Sequence, residues 1–140
     1  MTIIITAIER THFHLTRIIG ISCFEKMSMT VNPNTTVNEL MCQFAEHFPF
    51  LRLALYEGVG SKKRAATEND FALKNRKNSV EVIFESTTKV RDFIDYLEHI
   101  LGWKVQILRS SGKLYIETSV TDQWTLDRQN QEGAELSSNL

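Results

Sequence analysis

Two acid–imidazole pairs, Glu46-His47 and Glu98-His99, combine the side chains that hold divalent metals and move protons. A metal site needs ligands that converge, and neither pair has the HxxxH or ExxH spacing that sets two ligands on one helical face. The pairs stand 52 positions apart, whereas the apolar residues around them repeat at 53, so the two histidines lie at different angles to their own apolar stripes. They read as helix-end histidines near the negative end of the dipole, and no metal or other cofactor is assigned. His12-Phe13-His14 sets two imidazoles on one side of a strand, too few for a site. Neither Cys23 nor Cys42 has a basic neighbour in sequence to lower its thiol pKa, and two isolated cysteines fit a reducing compartment better than a disulfide framework. There is no GxSxG elbow, P-loop or GxGxxG, and Gly58-Val59-Gly60 lacks the spacing of a phosphate loop.

Two other groups of residues remain as candidates. The first is C-terminal: Arg109, Tyr115, Glu117, Asp122, Trp124 and Gln129 are polar or aromatic residues near the ends of elements, suited to binding. An enzyme would assemble its site from Glu98, His99, Arg109, Glu117, Asp122 and Gln129, provided they converge in one cleft. Trp124 is either an exposed anchor or a core plug, and the core reading is preferred because large aromatics dominate burial in small domains. The second group is the basic run Lys62, Lys63, Arg64, Lys74, Arg76 and Lys77, opposed within its loop by Glu68 and Asp70. With Tyr56, Trp103 and Tyr115 as stacking platforms, it offers single-stranded nucleic acid a surface. The plainer reading is a solvated loop with a short turn at Phe71-Ala72-Leu73.

These residues sit in a chain of 140 amino acids, 42% hydrophobic and 24% charged, with a net charge of −1. That length buries roughly two thirds of the unfolded surface, enough for a core without metal or disulfide support. Near-neutral charge argues against a whole-surface nucleic-acid binder, and 6 Gly with 2 Pro argue against a disordered or collagen-like chain.

The elements that must position the candidates recur in order. Val37, Leu40, Met41, Phe44 and Phe48 follow the apolar spacing of an amphipathic helix, and Val90, Phe93, Ile94, Leu97 and Leu101 repeat it 53 positions on. Thr36 with Glu39 predicts a capping box, and Thr87-Thr88 a hydroxyl cap for the second helix. Pro49 and Gly102 end them. Alternation at Leu51, Leu53, Leu55 and at Trp103, Val105, Ile107 predicts strands after each helix, and Val80 to Glu85 and Ile21 to Val31 predict strands before them. A hairpin turn at Arg109-Ser110-Ser111-Gly112 leads to a strand through Leu114, Ile116 and Thr118, and Thr125 or Asp122 caps a short last helix. The expected fold class is α+β: two βαβ-type repeats forming one ferredoxin-like antiparallel sheet with two helices on one face, plus the C-terminal helix. A pair of smaller lobes, each with its own sheet, is the alternative. Residues 1–26 read as an N-terminal extension, 27–136 as one domain with repeats at about 27–60 and 79–118, and 137–140 as a frayed tail. The run Thr2 to Ile8 has no basic n-region and is too short to cross a membrane, which leaves a short strand as its local reading.

The phrase Val105-Gln106-Ile107-Leu108-Arg109-Ser110-Ser111-Gly112-Lys113-Leu114-Tyr115-Ile116-Glu117-Thr118, with Thr121-Asp122, Trp124-Thr125-Leu126 and Gln129-Asn130, resembles a family of small uncharacterised Bacteroidota proteins. Their typical form reads VQVFRKSGNxWLETTxTDxWTLxxQN. Phe48-Pro49-Phe50-Leu51-Arg52-Leu53-Ala54-Leu55 is similar to their FPFLKxEF-like phrase, and this chain departs from the pattern at Leu108 and Tyr115. The resemblance implies a folded, cytoplasmic bacterial protein and no activity. The expected function is a non-enzymatic binding or assembly module with a protein partner or a second copy of itself. Single-stranded nucleic-acid binding is the alternative, although the aromatic-rich pattern of the RNA-recognition motif is missing. A small enzyme is the third reading, and no membrane is involved.

Overall fold

The computed structural model describes residues 26–74 and 78–138. The expected extension, His12, His14, Cys23, Arg76 and Lys77 lie outside the described residues. The order is β1 (Lys26–Val31), α1 (Val37–His47), β2 (Leu51–Glu57), β3 (Arg64–Ala65), β4 (Val80–Glu85), α2 (Val90–Leu101), β5 (Lys104–Ser111), β6 (Leu114–Glu117) and α3 (Leu126–Ser138). Single 3-10 turns precede β3 and α3, at Gly60–Lys62 and Ser119–Thr121.

The fold is α+β with antiparallel sheets, but the strands form two sheets rather than one. Among the described residues β1 pairs only with β4, and the second sheet runs β3-β2-β5-β6. A ferredoxin-like order would set β5 against the outer edge of β1. That edge is already taken: the Gln43 amide accepts from Thr30 N–H at 2.9 Å and donates to Thr30 C=O at 3.0 Å, and His47 Nε2 lies 3.1 Å from Ser28 C=O. With those groups satisfied by α1, β5 pairs with β2 instead. Within the ladders Met29 faces Val82, 53 positions on, and Ala54 faces Gln106, 52 positions on.

Both sheets turn one face into a single apolar cluster. Met29, Val31, Val82 and Phe84 enter from the first sheet and Leu51, Leu53, Leu55, Val105 and Ile107 from the second. α1 and α2 fill it with Val37, Leu40, Phe44, Val90, Phe93, Leu97, Ile100 and Leu101. Phe44 stacks on Phe93 with centroids 5.7 Å apart, and Phe93 tilts against Phe84 at 4.8 Å, so aromatic contacts tie the helices to the smaller sheet.

The helix starts are held in matching ways. At α1, Thr36 Oγ1 accepts from Glu39 N–H, while Val37 and Asn38 N–H donate to the carbonyls of Asp70 and Glu68. At α2 the threonine cap is not made: Lys89 is the N-cap residue with no side-chain bond, and Thr88 Oγ1 accepts from Glu85 N–H instead. Val90 and Arg91 N–H donate to the carbonyls of Trp124 and Asp122, so the chain downstream supplies what a hydroxyl would have. In return Ala72 N–H donates to Thr35 C=O, and Leu126 N–H to Thr88 C=O. The segment at Phe71-Ala72-Leu73 is therefore more than a solvated turn, since Ala72 and Leu73 are buried. Gly102 ends α2 in the left-handed conformation at φ 83°, as its C-terminal glycine predicts.

β5 runs on through Ser111, so the hairpin turns at Gly112-Lys113, later than expected. The alternation predicted beyond it buries nothing: all four residues of β6 are exposed, and only Thr118 turns inward, donating from Oγ1 to Ile107 C=O at 2.8 Å. α3 is longer than a short cap-and-fray helix. Thr125 Oγ1 accepts from Arg128 N–H at its start, and Ser137 Oγ meets Ser110 Oγ at 2.7 Å near its end.

Candidate functional site

The C-terminal candidates form a docking seam between α3 and β5. Gln129 is fully buried, accepts from Arg109 Nη1 at 2.9 Å, and donates through Nε2 to Thr121 C=O at 2.9 Å and Thr121 Oγ1 at 2.7 Å. All the polar atoms of that amide point into the protein. Asn130 Oδ1 accepts from Phe50 N–H at 2.9 Å, and Gly133 lets α3 come close enough for Phe50 and Arg109 to lie against its backbone. Trp124 is neither a core plug nor a free anchor. Half-buried, it lies under two guanidinium groups, Arg128 at 3.8 Å and Arg109 at 5.8 Å from the ring centroid.

Convergence is only partial. Arg109, Trp124 and Gln129 come together, while the Asp122 carbonyl is engaged by Arg91 N–H at the start of α2. Glu117 is exposed on β6 opposite Leu108. Glu98 is engaged elsewhere, its Oε2 accepting from Val105 N–H at 2.9 Å, and His99 is exposed. The residues named for an enzyme do not line one cleft, and among the described residues no three His, Cys, Asp or Glu side chains are grouped to hold a metal.

Of the four described members of the basic run, Arg64 and Lys74 are engaged by acids. Glu57 receives Arg64 at 2.6 Å and also pairs with Lys74, and Asp70 receives Arg64 at 3.3 Å. The Lys74 and Arg64 hydrogen bonds hold the Glu57 carboxyl below its ordinary value, and the Thr67 N–H, with Arg64, does the same for Asp70. Two of the three stacking platforms are covered too, Tyr115 being the exception. Lys63 Nζ sits 3.8 Å above the Tyr56 ring and Lys74 Nζ 3.9 Å above Trp103, itself buried with its indole N–H donating to Phe71 C=O. Lys62 and Lys63 remain exposed.

What the surface does present is apolar and at a sheet edge. Leu114 is 71% exposed, Tyr115 45%, Ile116 38% and Val120 95%, so β6 exposes three consecutive large side chains and the turn after it a fourth. Behind it a groove of about 240 Å³ is lined by Met41, Cys42 and Ala45 of α1, Pro49, residues 51–53 of β2, and Tyr115. Cys42 is a free, exposed thiol on that groove rather than a semi-buried one. Sequence reading missed the buried hydrogen-bonding roles of Thr118, Asn130 and Ser110, although all three lie in the quoted C-terminal phrases. No family model, curated protein or solved structure matches the chain.

Proposed function

We propose that this chain is a non-enzymatic binding or assembly module that works through protein–protein contacts. The observation that carries the reading is the outer edge of β6, which no other strand pairs among the described residues and where Leu114, Tyr115 and Ile116 are exposed. Natural edge strands are usually short, charged or covered, and an apolar one invites a partner strand. The seam residues support the same reading, because Arg109, Gln129, Asn130 and Thr121 are occupied in holding α3. The test is selection of linear peptides from a displayed library by the purified chain, alongside titration with a mixed single-stranded oligonucleotide at low salt. Enriched peptides whose binding is lost in Leu114→Lys/Ile116→Lys support the module. Salt-sensitive oligonucleotide binding, lost in Lys62→Glu/Lys63→Glu and unaffected by the β6 pair, overturns it in favour of nucleic acid.

We also infer that residues 26–74 and 78–128 are two copies of one unit. The two ladders are centred on residues about 54 and 53 positions apart, and both helix starts are closed by the same set of backbone bonds, from Asp70 and Glu68 in one half and Trp124 and Asp122 in the other. The cytoplasmic setting and the likeness to Bacteroidota proteins belong to this reading, which needs no membrane or cofactor.

A further inference from the structure

We propose that the edge of β6 left unpaired among the described residues is a two-fold interface with a second copy of this chain, pairing Lys113–Glu117 antiparallel with the same segment and placing Tyr115 on the axis. The proposal rests on the module reading above and gives it a partner.

The hydrogen-bond direction of β6 follows from the ladder. Val105 N–H donates to Glu98, so odd-numbered β5 residues face away from β2 and toward β6. Arg109 and Ser111 thus bond their partners Ile116 and Leu114, which turns the backbone groups of Lys113, Tyr115 and Glu117 outward to the open edge. An antiparallel pair of such edges must match odd residues with odd. The register centred on Tyr115 does this, and it sets Lys113 opposite Glu117 of the second copy at both ends of the pair. Leu114 then faces Ile116, twice, so four exposed apolar side chains gather on one side of the joined sheet.

The sequence Lys113-Leu114-Tyr115-Ile116-Glu117 is thus self-complementary when reversed: charge meets opposite charge, aliphatic meets aliphatic, and the aromatic meets itself. A shift by two residues in either direction breaks the charge match at one or both ends. Lys113 alone is the kind of charge that blocks an edge. Opposite a glutamate it becomes the element that selects the register. The result is a continuous eight-stranded sheet, four strands from each copy, with no β6 edge left.

Sedimentation equilibrium of the full chain from about 1 µM to about 1 mM tests this, a range that spans weak to moderate affinity. A monomer–dimer equilibrium is expected. Lys113→Glu and Glu117→Lys each weaken it by about tenfold or more, and the double swap Lys113→Glu/Glu117→Lys restores it to within about threefold. Circular dichroism of each variant should match the parent, because the side chains altered are exposed. A second measurement reads the axis: Tyr115→Cys in a Cys23→Ser/Cys42→Ser background should cross-link to itself on mild oxidation, since paired Cα atoms near 5.5 Å fit a disulfide. A chain that stays monomeric across the range, or a dimer indifferent to the single reversals, overturns the proposal. Peptide binding lost in the Leu114/Ile116 variant would still stand in that event, which separates this failure from failure of the module reading.

Discussion

Arg109 donates to Gln129 across 2.9 Å, and that bond joins the middle of the larger sheet to a helix that begins well after it in sequence. Gln129 has no exposed surface, so replacing it removes three hydrogen bonds where water cannot substitute. Gln129→Ala should lower unfolding free energy by about 2–4 kcal/mol, because the guanidinium and the Thr121 carbonyl are left unpaired. Urea denaturation followed by Trp124 fluorescence measures it. A loss under about 0.5 kcal/mol would mean that the seam does not hold α3.

Gly133→Ala is predicted to destabilise the chain even though alanine favours helices by about 1 kcal/mol over glycine. The added Cβ would stand 2.9 Å from Phe50 Cβ, 3.0 Å from Phe50 O and 3.2 Å from Arg109 Cγ, and Phe50 O is fixed by the Ser110 N–H. Overpacking of this kind costs about 1–3 kcal/mol and should exceed the propensity gain. An increase in the denaturation midpoint contradicts the close approach.

Glu57 should titrate at lower pH than an isolated glutamate, because Lys74 and Arg64 bond its ionised form. A carboxyl depressed in the folded state contributes stability that is present above its unfolded pKa and lost as pH falls through the folded one. The acid side of the stability profile, below about pH 4.5, should therefore flatten in Glu57→Gln. Carboxyl carbon NMR titration reads the group directly, and an ordinary midpoint there removes the argument.

Gln43→Ala should release the Thr30 amide to exchange with solvent, since Gln43 alone spans both of its backbone groups. Hydrogen exchange at Thr30 is expected to speed up well beyond that at Met29, with a net stability loss of about 1 kcal/mol or less, as these bonds are exposed. Unchanged exchange would show that the outer edge of β1 is closed by something else.

Much of the core was legible because burial obeys spacing. The stripes through Val37 to Phe48 and Val90 to Leu101, and the alternation in β2 and β5, are carried by apolar residues whose period names the element. The sheet arrangement was not, because it turns on Gln43, a polar residue whose pairing with Thr30 has no sequence signature. Arg109 and Gln129 were found together but assigned to binding, and Trp124 was preferred as a core plug, since the same residue types serve a ligand or a buried seam and only burial separates them. The charge of the basic loop was incompletely read for a related reason: Glu57, which lies just before it on β2, pairs with Arg64 and Lys74 through the fold.

The backbone closure at the helix starts has a consequence for ligands. A helix N-terminus is a natural cradle for phosphate, because its free N–H groups and dipole both favour an anion. Here α1 offers those groups to Asp70 and Glu68, α2 to Trp124 and Asp122, and α3 to Thr88, Ser86 and the Thr125 hydroxyl. The protein's own oxygens occupy the place of the anion at all three helices. A nucleotide or phosphorylated metabolite would have to be held elsewhere than at these three described helix starts.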